Sequence, residues 1–165
     1  MRHVTLTIAI AAFIATGLMS CGQTGDKKTE SSEKLSVPGA VKESKHFTVL
    51  VPEGWQFSGF DDGTVQVYNT SGSYMLQAKR AGMNMNEKDL EMSISGIITQ
   101  YKGTPVEKVE MLGLTFLKST YDASGSHQTL YAALKNGEKI SIQLMGPQHE
   151  TDKTIQAVLQ SLQLK

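Results

Sequence analysis

The chain has 165 residues, with 16 Lys+Arg against 16 Asp+Glu and a single cysteine. A formal charge of zero with bases scattered among acids excludes the basic face that nucleic acid requires and a polybasic membrane patch. One thiol excludes an intramolecular disulfide framework.

Taken in chain order, Arg2 and the apolar run over residues 4–18 read as the positive and hydrophobic regions of an export signal, with small Ser20 before Cys21. The run is broken by Thr5, Thr7, Thr16 and Gly17. It falls short of the ~20 apolar residues of a spanning helix. A lone thiol in an exported protein has no disulfide partner, so its presence calls for another reason. Leu18-Met19-Ser20-Cys21, followed by Gly22, resembles the lipobox of bacterial lipoproteins. That resemblance implies that residues 1–20 are a signal peptide and that Cys21 is lipidated with fatty acyl chains of the palmitate kind. Membrane attachment then comes from those chains, at ~0.8 kcal/mol per buried methylene. Gly22 in place of an aspartate fits outer-membrane sorting. The expected location is the bacterial cell envelope, with the domain in the periplasm or at the cell surface.

Residues 21–45 are expected to be the lipidated cysteine and a flexible tether. They are rich in Lys, Glu, Ser, Thr and Gly, and such a stretch buries too little to offset the entropy of ordering it. Residues 46–165, about 120 in number, are enough for one domain with its own core.

Within that domain, residues 47–51 are a β-branched apolar run ending at Pro52, and Pro52-Glu53-Gly54-Trp55 reads as a tight turn. Residues 64–69 and 73–79 form a hairpin across Ser71-Gly72. Leu90, Ile94, Ile97, Ile98 and Tyr101 then fall on one face of a helix with Asn86 as its N-cap, ended by Gly103-Thr104-Pro105. Residues 106–111 and 114–121 flank Leu112-Gly113, and residues 127–135 and 138–145 flank Asn136-Gly137, a strong hairpin signal. A second helix over residues 151–162 buries Ile155, Val158, Leu159 and Leu162. The order βββ-α-ββββ-α predicts an α+β fold, an antiparallel sheet covered by two helices.

The strand ending in Pro52-Glu53-Gly54-Trp55, the helix after a hairpin, the paired hairpins and a last helix ending Leu159-Gln160-Ser161-Leu162 resemble the PsbP/Mog-like fold, which includes photosystem II extrinsic subunits and envelope lipoproteins of the DcrB type. The resemblance covers residues 46–165. It implies an α/β/α sandwich and a non-enzymatic binding or assembly role, and it carries over no catalytic residue.

Residue patterns add no catalytic chemistry. His46, His127 and His149 lack the i, i+4 spacing of a helical zinc pair and are read as surface histidines, although strand-borne His127 and loop-borne His149 could meet in space. No G-x-S-x-G elbow occurs, Asp61-Asp62 is a turn, and Asp89 and Glu91 start a helix. Met83-Asn84-Met85 has thioethers suited to copper(I), but methionine more often fills core gaps. No metal, cofactor or enzymatic activity is expected. The expected function is that of a lipid-anchored envelope protein binding another envelope protein. The alternatives are a carrier of a small apolar ligand or lipid held between helix and sheet, and a cryptic hydrolase. Trp55, Phe57 and Phe60, packed between glycines and acids, are the candidate partner-binding residues, with Trp55 also suited to plugging the core.

Overall fold

The computed structural model describes residues 35–165; the expected signal peptide, Cys21 and the first part of the expected tether lie outside them. The elements are β1 (Gly39–Glu43), β2 (Phe47–Pro52), β3 (Trp55–Gly59), β4 (Val65–Asn69), β5 (Met75–Ala81), α1 (Glu87–Tyr101), β6 (Glu107–Met111), β7 (Leu114–Ala123), β8 (Ser126–Lys135), β9 (Glu138–Met145), α2 (Lys153–Ser161) and β10 (Gln163–Leu164). The fold is α+β, as the periodicities predict, with every strand pairing antiparallel.

The strands form two sheets rather than one. Seven run in the order β3-β4-β5-β9-β8-β7-β6, and three in the order β1-β2-β10. Short turns drive the larger sheet. Leu112-Gly113, Ser124-Gly125 and Asn136-Gly137 each place both residues at positive φ, the left-handed pair whose twist matches that of the flanking strands. Three such turns in succession fold β6 to β9 into a meander.

Alternation along the strands gives the seven-stranded sheet two unlike faces. One presents Val65, Val67, Leu76, Ala78, Phe116, Tyr131, Ala133, Ile140, Ile142 and Leu144 to Phe47, Val49 and Val51 of β2 and to Ile155, Val158 and Leu159 of α2, all buried in the main core. The other carries α1 over only part of its width, where Leu90 and Ile94 pack on Leu117, Tyr121, Leu130 and Ala132. α1 begins in a capping box, with Asn86 accepting from the Asp89 amide and the Asp89 carboxylate accepting from the Asn86 amide. α2 starts at Asp152, whose side chain accepts from the Thr154 and Ile155 amides.

Three elements depart from the sequence reading. The ordered chain starts before residue 46: Gly39–Glu43 pairs with β2 across five residues. All five β1 residues are exposed, so the strand is held chiefly through its backbone and its composition carries no burial signal. Gly39 is needed there, because a Cβ would run into the Val51 carbonyl. Trp55 opens a strand instead of closing a turn, and the turn itself rests on Gly54 at positive φ. The segment after α2 adds β10 to the far side of β2 through Gln163 and Leu164.

Candidate binding face

The part of the seven-stranded sheet that α1 leaves open is built from β3, β4, β5 and β9. Register pairing sets its side chains in rows, because directly paired residues share a face. One row runs Ser58, Gln66, Gln77, Gln143, ending on Leu130 beneath α1. The next runs Gln56, Tyr68, Met75, Met145, Gln128, Tyr121. Neither row contains a group that is charged at neutral pH. The amides are partly spent on one another: Gln66 Nε2 donates to Gln77 Oε1 at 3.1 Å, and Gln143 Nε2 donates to Gln128 Oε1 at 2.6 Å and to the Tyr121 hydroxyl at 3.0 Å. Burial raises the Tyr121 pKa above its ordinary value. Tyr101 at the end of α1 stacks on Tyr121, ring centroids 5.4 Å apart, and Lys139 of β9 reaches Ser93 of α1 at 2.9 Å. α1 therefore stands as a step along one side of the rows.

At the opposite corner, Phe60, Asp62, Thr64, Gln66, Gln77 and Lys79 line a hollow of about 270 Å³. Phe60 is 49 % exposed. The turn that carries it is closed by the Gly63 amide donating to the Phe60 carbonyl, and by the Thr64 amide donating to Asp62 Oδ1 at 2.9 Å. That amide bond holds the Asp62 carboxyl below its ordinary range, helped by the Thr64 hydroxyl and Lys79, whose ammonium stands 3.5 Å away. The Thr64 hydroxyl oxygen is buried, and the Asp62 carboxylate is the group it acts on.

The three aromatic candidates are therefore not one patch. Trp55 and Phe57 are half-buried and pack against the main core on the opposite face. Phe60, beyond the end of β3, lines the open face instead. The glutamine rows were missed because a polar residue at every second strand position reads equally as a solvated face. The usable signal is that amides and hydroxyls occupy positions 56, 58, 66, 68, 77 and 143, with charge deferred to Asp62 and Lys79 at the edge.

The histidines also need correction. His149 is not on the surface: it is fully buried, and its ring lies 5.1 Å from that of His127. Its Nδ1 donates to the Gly146 carbonyl at 2.8 Å, so neutral Nε2 must accept the Thr129 hydroxyl proton at 2.7 Å. Thr129 in turn contacts Thr120 at 3.0 Å. Burial pushes the His149 pKa down, outweighing the Gly146 bond that favours the cation. His127 is half-exposed, bonded to Asp122 at 2.8 Å with Glu150 at 3.8 Å. With His149 consuming both nitrogens in the fold, the pair fastens the turn before α2 to β8. Among the described residues no group of three or more His, Cys, Asp or Glu is placed to hold a metal ion.

A second concavity, about 350 Å³, lies between α1 and the sheet, with Leu90, Leu117 and Leu134 among its lining and Glu87, Glu91 and Lys108 around them. Among the described residues no helix is long and apolar enough to cross a membrane.

No protein-family model matches the chain, and no curated protein does so. Solved structures do. The solution structure of the cyanobacterial PsbP protein CyanoP from Synechocystis sp. PCC 6803 is 15% identical, with a TM-score of 0.55 over 90% of this chain and 99% of that one. LpqN, involved in cell envelope biogenesis of Mycobacterium tuberculosis, is 14% identical with a TM-score of 0.46 over 78% and 86% of the two chains. A protein from Bacteroides thetaiotaomicron VPI-5482 is 14% identical, with a TM-score of 0.47 over 72% of this chain and 45% of that one. The likeness to CyanoP covers 90% of this chain, and the fold is PsbP-like.

Proposed function

We propose that this protein is a lipid-anchored, non-catalytic binding module of the bacterial cell envelope, whose partner lands on the open face of the seven-stranded sheet. The observation that carries the binding reading is that face itself: neutral rows of amides, hydroxyls and thioethers, with exposed Phe60 at one corner and α1 along one side. The anchor rests on the lipobox-like Leu18-Met19-Ser20-Cys21. A binding role accords with a face that lacks a nucleophile–base pair, and with histidines whose hydrogen bonds are spent on holding turns. Two experiments test the reading separately. Cys21→Ala is expected to abolish incorporation of a clickable fatty acid; continued labelling refutes the anchor. Phe60→Ala is expected to weaken in vivo crosslinking of the anchored protein to envelope material while leaving its melting unchanged. Crosslinking at full strength refutes the binding face.

A second reading, carriage of a small apolar ligand, is favoured by the concavity under α1, where Leu90, Leu117 and Leu134 meet. Binding of an environment-sensitive apolar dye that Leu117→Lys abolishes in a folded variant is the expected signature.

A further inference from the structure

We infer that the partner of the open face is a neutral, hydroxyl-rich glycan strand, held by the side-chain amides of Gln66, Gln77 and Gln143. The inference rests on the binding reading above and adds the ligand's chemistry.

The first argument is charge. The two rows across β3, β4, β5 and β9 contain no ionisable group that is charged at neutral pH, and the nearest such pair, Asp62 and Lys79, neutralises itself at the corner. An anionic polymer finds no cation in the rows to neutralise it. The second is unspent hydrogen-bonding capacity. After Gln66 Nε2 has donated to Gln77 Oε1, Gln66 Oε1 and Gln77 Nε2 are left with no side-chain partner among the described residues. Gln143 spends its NH2 on Gln128 and Tyr121, leaving its carbonyl oxygen likewise free.

An apolar protein surface laid over these groups would strip their water and return nothing, which is costly for each group left unpaired. A sugar chain returns a donor and an acceptor at every hydroxyl, spaced to meet an amide's oxygen and nitrogen together. Its C–H faces need apolar ground, and Tyr68, Met75, Met145 and Phe60 supply that beside the amides. Four strands of this length present roughly 15 Å by 15 Å, room for about three sugar rings.

The test uses the full-length protein in detergent, titrated with chitotetraose or with cellotetraose and followed through the side-chain NH2 signals of glutamine. The first probe carries N-acetyl groups and the second hydroxyls alone, so the pair separates the two glycan classes. Saturable shifts at Gln66, Gln77 and Gln143 with either probe are expected, at affinities on the order of millimolar. Gln77→Ala should weaken binding about fivefold or more, while Gln163→Ala, on β10 of the other sheet, should not. An unchanged amide spectrum outside the face shows that the variant is folded. If neither probe gives saturable shifts, or if Gln163→Ala weakens binding as much as Gln77→Ala, the glycan inference is overturned. Should the glycans fail while Phe60→Ala still loses crosslinks to an envelope protein, the face binds protein and only the ligand assignment falls. Failure of both removes the face as well.

Discussion

Strands β3, β4 and β5 carry two surfaces, made by alternate residues along each strand. Trp55, Phe57, Val65, Val67, Leu76 and Ala78 face the core; Gln56, Ser58, Gln66, Tyr68 and Gln77 face outward. The inner surface is sealed by β2 and α2, and the outer is left bare because α1 stops over β7 and β8. Both are half of the same hydrogen-bonded sheet, so the backbone cannot explain the contrast. Side-chain chemistry does: the inner face gains by excluding water, whereas on the outer face amides and hydroxyls remain solvated at little cost.

That contrast can be broken most severely at Phe116, fully buried where the seven-stranded sheet meets the second layer. Phe116→Ala should cost ~3–5 kcal/mol in chemical unfolding; a cost near zero would mean that the inner face is not sealed. The polar exception within the inner surface comes next. His149→Ala removes the partner of Thr129 and of the Gly146 carbonyl and should cost ~2–3 kcal/mol. The same residue makes stability depend on pH. Its folded pKa is depressed by burial below the ordinary 6.5, so the unfolded chain takes up the proton more readily. The stabilisation is complete above the unfolded value and is lost as pH falls through the folded one. Thermal melts from neutral pH toward pH ~5 should fall in the wild type and flatten in His149→Gln. Equal slopes in both would assign the effect elsewhere, the nearest charged or titratable neighbours being His127, Glu150 and Lys118.

Trp55→Ala sharpens the boundary, since the ring is only half-buried at the edge of the core; about 1–3 kcal/mol is expected, less than at Phe116. The smallest effect on stability belongs to Phe60→Ala, within ~0.5 kcal/mol. If Phe60 costs as much as Trp55, the two surfaces are not as separate as their register makes them.

Periodicity in the sequence was enough to find both helices, the Asn86 cap of α1, and the hairpins at Asn136-Gly137 and Leu112-Gly113, because each is a local decision made by a few neighbouring side chains. β3 has the strand alternation Trp55-Gln56-Phe57-Ser58, but it starts one residue after the turn glycine Gly54, so its first residue reads as part of the turn. β1 was not legible. Nothing in Gly39-Ala40-Val41-Lys42-Glu43 differs in kind from the polar stretch before it, and its pairing is decided by β2's open edge. The division into two sheets was equally hidden, since register between distant strands leaves no mark in either. Of the candidate site, Phe60's exposure could be argued from its turn. The amide rows could not, because assembling them requires knowing that β5 lies beside β9.

The placement of β2 sets two tempos for assembly. β6 to β9 close through two-residue turns, contacts that a chain finds quickly. β2 completes its sheet only when Phe47 and Thr48 meet Leu164 and Gln163, a loop of more than a hundred residues, and closing long loops is the slow part of folding. Until α2 is in place, the apolar stripe of Phe47, Val49 and Val51 has only the seven-stranded sheet to cover it. A chain in that interval is an open meander with one apolar strand loose, and an unpaired apolar strand is the part of a folding chain most exposed to pairing with another.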